Sequence, residues 1–195
     1  MKSSLSFTFT TLLPLLAAAQ PIASSAVSLA VNLPGSPLNN QPVVANGGKF
    51  WIGKPTSQYC PDNVEKLGGC PKGKDTSIWV NSEQGTGSLN VIVPGGQQIY
   101  VGVDTSLSFT RPHSAYIPPG STSVQFSLIP LNQLAMVGRR ILACLPPSTA
   151  TDTNESTSAW QVFAPRTDEA APPNRQCVAF VAQTAAAKDA VWEYI

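Results

Sequence analysis

The stretch that most constrains this fold is SLNVIVPGGQQIYVGVDTSLSF, residues 88–109. Apolar residues alternate with polar or smaller ones on both sides of a Pro-Gly-Gly step, and a period of two indicates β-strands. The proline fixes one φ angle and the two glycines accept positive φ, as a tight reversal between strands requires. The stretch therefore predicts a β-hairpin formed by residues 89–93 and 99–103.

The rest of the chain repeats this pattern of short apolar segments separated by turn residues. Of its 195 residues, 43% are hydrophobic and 12% are charged, and the 14 Gly and 18 Pro argue against a helical bundle. The loop between Cys60 and Cys70 is expected to lack regular structure or to form one helical turn at residues 63–66, and only residues 184–190, rich in alanine, show a weak helix preference. About twelve short antiparallel strands at regular intervals predict a compact all-β domain.

Three segments share a strand, a Gly or Pro turn and a strand that carries an aromatic residue: 41–53, 89–101 and 141–163. This loose three-fold pattern slightly favours a β-trefoil-like barrel over a β-sandwich.

The N-terminus predicts export from the cell. Lys2 is followed by an apolar region, residues 7–19, that ends in small residues, which is typical of a secretory signal peptide. We place the cleavage after Ala19, with a later site near Ala26 as the alternative, so residues 1–19 are the signal and residues 20–195 a single β domain. The apolar region is too short for a stable membrane span, and the C-terminal residues lack the hydrophobic tail of a lipid-anchor signal.

Charge and cysteine content suit an extracellular protein. The 12 Lys and Arg nearly balance the 11 Asp and Glu, which gives no electrostatic signature for nucleic acid or an anionic membrane. Four cysteines allow three disulfide pairings, of which local spacing favours Cys60–Cys70 and Cys144–Cys177, and a zinc site is the alternative. A polar loop, residues 149–158, carries an N-glycosylation sequon at Asn154.

Candidate catalytic residues are scattered through the chain. His113 is the single histidine and no serine lies in a nucleophile-elbow motif, so a hydrolytic triad is not indicated. Carboxylates could still form a glycosidase pair, which keeps a small secreted hydrolase as the last alternative. No cofactor or metal site is predicted. The candidate carboxylates are Glu65, Asp75, Glu83, Asp104 and Glu193.

Aromatic side chains give a more specific hypothesis, because a sugar ring stacks on a flat apolar face while amides bond its hydroxyls. Trp79 is the best candidate, since Ile78 and Val80 occupy the opposite face of its predicted strand. Most other aromatic residues are expected to fill the core. The wider set is Trp51, Trp160, Trp192, Tyr59, Tyr100 and Tyr116.

Several segments together resemble a known family, the small secreted fungal cell-wall proteins of the phialide-protein (PhiA-like) type, often described as IgE-binding or antigenic proteins. The segments are GGKFWIG (47–53), YCP (59–61), CP (70–71), VPGGQQIYV (93–101), HSAYIPPGS (113–121), AC (143–144), WQVFA (160–164), Cys177 and VWEY (191–194). The four cysteines coincide with the family's positions, which supports two disulfides. Arg139, Arg140 and the segment 166–175 depart from the family's pattern, which bears on surface partners more than on the fold.

The resemblance implies a secreted or wall-associated fungal protein linked to the formation of asexual spore-bearing cells and to stress protection, with no catalytic residues to transfer. We therefore expect a non-enzymatic extracellular protein whose partner is a wall polysaccharide or a wall protein. A carbohydrate-binding module or lectin is the first alternative. The sequence leaves the oligomeric state open.

Overall fold

The computed structural model of this chain describes residues 26–147 and 159–195. The predicted signal peptide, residues 1–19, and Asn154 lie outside the described residues. The described part contains fifteen strands and one helix, α1 (Asp62–Lys66). The strands are β1 (Val27–Asn32), β2 (Val43–Asn46), β3 (Lys49–Ile52), β4 (Gln58–Tyr59), β5 (Ile78–Asn81), β6 (Thr86–Leu89), β7 (Ile99–Val101), β8 (Leu107–Phe109), β9 (Phe126–Ile129), β10 (Gln133–Met136), β11 (Leu142–Cys144), β12 (Trp160–Phe163), β13 (Cys177–Ala179), β14 (Val181–Ala186) and β15 (Glu193–Tyr194).

Two large antiparallel sheets make up most of the molecule. The first has the strand order β6-β5-β1-β14-β10-β9. The second has the order β13-β11-β12-β3-β8-β7, and β2 pairs with β3 beside it. Strands β15 and β4 form a third, two-stranded sheet. Isolated bridges at Ser88–Gln98 and Ala30–Pro42 connect the two large sheets.

Both large sheets contribute side chains to one hydrophobic core. Strand β1 shows the underlying pattern, because Val27, Leu29 and Val31 are buried while the residues between them are half-buried. Elsewhere in the core, the ring of Phe109 packs edge-to-face against Phe50 and Tyr194, with centroids 5.7 and 6.5 Å away. The penultimate residue of the chain is thus part of the core.

The all-β class is confirmed, but the slight preference for a trefoil-like barrel is corrected. In the described residues the sheets are open and form no closed barrel, an arrangement closer to the sandwich alternative. The segments that suggested three-fold symmetry are not equivalent in space. Residues 41–53 form neighbouring strands of the second sheet, whereas residues 89–101 leave the first sheet and enter the second.

The central hairpin also differs from its prediction. The Pro-Gly-Gly turn is present, with Gly95 and Gly96 at φ 86° and 62°. Residues 91–93, however, do not pair across it with β7. The backbone N–H groups of Ile92 and Val93 instead donate to the carbonyl oxygens of Val191 and Trp192, at 3.1 and 3.0 Å. Alternation identifies an extended segment, but it does not identify the segment's partner.

Helix plays a small part in this fold. Of the two alternatives for residues 63–66, the helical turn agrees with α1, whereas the weak helix prediction at 184–190 is wrong, because β14 continues through Ala186. Six consecutive residues of β14 pair with β1, and this pairing outweighs the small intrinsic helix preference of alanine. Within residues 26–147 and 159–195, no helix has the length and apolarity to cross a bilayer.

Candidate functional site

Trp79 projects from the outer face of β5, opposite the buried Ile78 and Val80, as its sequence context predicts. Its indole is 37% exposed. The indole Nε1 donates to Asn90 Oδ1 at 2.9 Å. Asn90 is held in turn, because its Nδ2 donates to Ser77 Oγ at 3.1 Å. The ring is therefore fixed through its edge while part of its surface faces solvent.

A groove of about 510 Å³ adjoins this indole. None of the residues that line it carries a charge, and most offer an amide, a hydroxyl or an exposed backbone group. An aromatic face surrounded by neutral hydrogen-bonding groups suits a neutral sugar ring, whose C–H face stacks while its hydroxyls exchange hydrogen bonds. The lining residues are Trp79, Asn81, Gln84, Thr86, Gly87, Ser88, Gly95, Gly96, Gln97 and Gln98.

The other three tryptophans are less available. The amine of Lys54 lies 3.4 Å from the centroid of the Trp51 ring and covers one of its faces. Trp160 packs against the hydrophobic core. Trp192 is half-buried beside the C-terminal strand. Among the four, Trp79 combines the most exposed side chain with a polar groove.

Two of the candidate tyrosines lie near each other, and the third lies elsewhere. Tyr100, on the outer face of β7, is half-buried, and its hydroxyl is close to Ser108, Asp104 and Tyr116. Burial raises the pKa of Tyr100; a hydrogen bond with Ser108 opposes the rise, and nearby Asp104 and Tyr116 add to it. Tyr116 is 69% exposed on the loop after β8, and Tyr59 is exposed on β4.

A polar cluster lies beside Tyr100. Asp104 is the single residue of this cluster that the sequence had indicated as a candidate. The Lys49 amine donates to Ser106 Oγ and Ser108 Oγ at 2.6 and 3.0 Å and lies 3.6 Å from Asp104 Oδ2. Partial burial alone would raise the pKa of Asp104, but hydrogen bonds from Ser106 and the charge of Lys49 lower it overall. Strand register places Lys49 opposite Ser108, a pairing that no local motif reveals.

Asp104 in this cluster does not fit the role of a general acid. A general acid must hold a proton near neutral pH, and the lowered pKa of Asp104 keeps it ionised. Ser106 has no exposed surface, and its hydroxyl donates to Asp104 Oδ1 at 2.6 Å rather than facing a substrate. The arrangement instead fixes a lysine and a carboxylate at the surface.

The remaining catalytic candidates are dispersed. Glu65 lies on α1, Glu83 in the turn between β5 and β6, and Glu193 is buried in β15. His113 is exposed in a loop at φ 56°. In the described part of the chain, no three His, Cys, Asp or Glu side chains come together as a metal site.

Two further cavities differ in chemistry from the groove at Trp79. One, of about 350 Å³, is lined by Lys72, Lys74 and Lys188 together with Asp75 and Asp189, so opposite charges largely offset each other within it. The other, of about 530 Å³, lies beside Tyr194 and Ile195. Its lining includes the apolar Phe109 and one cationic residue, Arg111.

Both disulfides favoured by cysteine spacing are present. Cys60 and Cys70 close the loop that contains α1, with their Cα atoms 6.1 Å apart. Cys144 and Cys177 face each other across β11 and β13, with Cα atoms 4.1 Å apart. All four sulfurs are used in these bonds, so none is a free thiolate for the zinc alternative.

The fold and the site define a disulfide-bonded, all-β protein with a neutral aromatic groove on one sheet face. Comparison with known proteins agrees with an extracellular role. The family model described as PhiA-like secreted protein matches residues 27–195. An uncharacterized secreted protein of Arthroderma benhamiae is 34% identical over 211 residues, an alignment that covers 100% of each chain. No solved structure matches this chain significantly. The chain belongs to the PhiA-like secreted protein family, and it is a secreted fungal protein.

Proposed function

We propose that this protein acts as a non-enzymatic protein of the fungal cell wall and binds a neutral wall polysaccharide through the groove at Trp79. One observation carries the proposal: a fixed, solvent-facing indole borders a groove lined only by uncharged residues. Wall polysaccharides built from glucose or N-acetylglucosamine are neutral and present flat C–H faces, which match this lining. A secreted protein of a fungus meets such polymers as soon as it leaves the cell.

The geometry around the candidate acids supports a binding role rather than a catalytic one. Glycoside hydrolysis needs a proton donor and a second carboxylate on either side of one bond. Asp104, the candidate in the polar cluster with Ser106, has a lowered pKa and is paired with Lys49. The groove at Trp79 has no carboxylate among its lining residues.

Pull-down on insoluble polysaccharide tests the proposal. The wild-type protein should sediment with β-glucan or with chitin, and Trp79→Ala should lower its affinity about two- to tenfold, because aromatic stacking contributes about 0.5–1.5 kcal/mol beyond buried area. Tyr59→Ala is the matched control, since Tyr59 is exposed but lies outside the groove. Retention of Trp79→Ala equal to that of the wild type would contradict the assignment of this groove.

Wall localisation needs a separate measurement. Immunolocalisation and fractionation of the source fungus should place the protein in the wall and the medium, and a protein found only inside the cell would end the proposal.

The links to asexual spore-bearing cells, stress protection and IgE binding rest on the family resemblance alone and stay predictions. Deleting the gene and scoring spore formation under stress would test the first two.

A further inference from the structure

We infer that the groove at Trp79 is one end of a longer glycan site, whose second aromatic subsite is formed by Tyr100 and Tyr116. The inference rests on the proposed function and specifies its ligand as an extended oligosaccharide chain rather than a single sugar. It follows from strand register, from the position of the polar cluster beside Tyr100 and from the exposure of Tyr116.

Register places the two subsites on the same outer side of β6 and β7, two strands of different sheets that an isolated bridge joins. Trp79 pairs with Ser88 across β5 and β6, and Ser88 in turn forms an isolated bridge with Gln98. Tyr100 follows Gln98 by two residues, so both side chains point to the same side of the strand. The alternate residues confirm the orientation, since Ile78, Leu89 and Ile99 on the other side are buried.

The spacing between the subsites sets the minimum size of the ligand. Two strand spacings and a two-residue step along β7 separate Trp79 from Tyr100, which amounts to about 12 Å between their Cα atoms. One sugar ring cannot contact both aromatic residues at that separation. A chain of several sugars can, if it runs diagonally across β6 and β7.

The surroundings of Tyr100 suit the same neutral ligand. Ser108 lies opposite Tyr100 on β8, and Lys49 lies opposite Ser108 on β3. Ser106 and Ser108 are buried, and the charge of Lys49 is offset by Asp104 at 3.6 Å, so the surface beside Tyr100 carries a compensated ion pair rather than a net charge. Tyr116, 69% exposed, is carried by the loop that returns to β7 at the bridge between Thr122 and Val101, next to Tyr100, so it can add a second aromatic face to this subsite.

Titration calorimetry with soluble oligosaccharides of two lengths tests the inference. The probes are a disaccharide and a hexasaccharide of N-acetylglucosamine and the same pair from β-glucan, so the two arms also identify the sugar. The wild type should bind the hexasaccharide of one arm at least tenfold more tightly than the disaccharide. Tyr116→Ala should remove most of that gain and leave disaccharide binding unchanged, whereas Trp79→Ala should weaken both.

Controls separate this inference from the proposed function. Tyr116 is on an exposed loop, so its truncation should leave the circular dichroism spectrum unchanged, and Tyr59→Ala should bind as the wild type does. Equal affinity of Tyr116→Ala and the wild type for the hexasaccharide would overturn the extended site alone, provided that Trp79→Ala still loses binding. Absence of binding to both sugars at both lengths, together with no retention on the insoluble polymers, would overturn both proposals.

Discussion

The side-chain amide of Gln97 binds the backbone of Tyr194 on both sides. Its Nε2 donates to the Tyr194 carbonyl oxygen at 2.9 Å, and its Oε1 accepts from the Tyr194 N–H at 2.7 Å. Nε2 also donates to the carbonyl oxygen of Thr110 at 3.0 Å. Gln97 is fully buried, so it acts as a strand neighbour for the end of the chain and fixes β15 beside the segment that leads into β7.

Gln97→Leu should lower the free energy of unfolding by about 2–4 kcal/mol, because it leaves the buried backbone groups of Tyr194 and Thr110 without partners. Urea denaturation followed by tryptophan fluorescence measures the change. Gln98→Ala is the matched control and should cost less than about 1 kcal/mol, since Gln98 is half-exposed on the outer face. Similar losses for the two variants would show that the amide contacts of Gln97 contribute little.

Ionisation of Tyr194 should lower the free energy of unfolding at alkaline pH. Burial raises the pKa of Tyr194 above its ordinary value of about 10, and hydrogen bonding with Ser77 only partly opposes the rise. A folded-state pKa above the unfolded one means that this stabilisation is fully present below pH 10 or so and is lost as pH rises through the folded value.

Tyr194→Phe should therefore flatten the stability profile above that pH. At neutral pH the variant should be about 1–2 kcal/mol less stable, since the Tyr194 hydroxyl accepts from Ser77 N–H at 3.1 Å and donates to the Asp75 carbonyl at 2.9 Å. Tyr59→Phe should keep the wild-type slope, because Tyr59 is exposed. An unchanged alkaline slope in Tyr194→Phe would rule out this tyrosine as the cause.

The two disulfides should contribute unequally. Loop-closure entropy gives about 4 kcal/mol for Cys144–Cys177, with a separation of 33 residues, and about 3 kcal/mol for Cys60–Cys70, with a separation of 10. Paired alanine substitutions, compared by urea denaturation, should show the larger loss at Cys144–Cys177. Burial should increase this difference in stability. Cys144 is inaccessible to solvent, whereas α1, in the loop closed by Cys60 and Cys70, has no buried residue. The reverse order of losses would contradict the entropic argument.

Gly73 should be the least replaceable glycine among those with ordinary φ angles. A Cβ at this position would lie 2.3 Å from the carbonyl oxygen of Ala190, so Gly73→Ala forces two backbone segments apart and should cost about 1–3 kcal/mol. Gly87→Ala is the control, because its Cβ would meet Phe126 at 3.5 Å, an ordinary contact. Thermal unfolding compares the two variants, and a stable Gly73→Ala would mean that the Ala190 segment moves freely.

Local features of the sequence predicted several parts of the candidate site. Alternation around Trp79 placed its indole opposite Ile78 and Val80, and the structure has it there. The Pro-Gly-Gly step predicted a turn, and that turn supplies one wall of the groove. These predictions succeed because side-chain direction in a strand and positive φ at glycine are decided within a few residues.

The amino-acid sequence by itself determined the β class, the turn at Gly95 and Gly96, and the outward direction of the Trp79 indole. Tertiary structure alone decided that residues 91–93 pair with the C-terminal segment, that Ala186 is in a strand and that Lys49 lies opposite Ser108. The reason is physical: conformational preferences act over a few residues, whereas the choice of partner depends on which distant segments can bury their apolar faces and satisfy their backbone hydrogen bonds together.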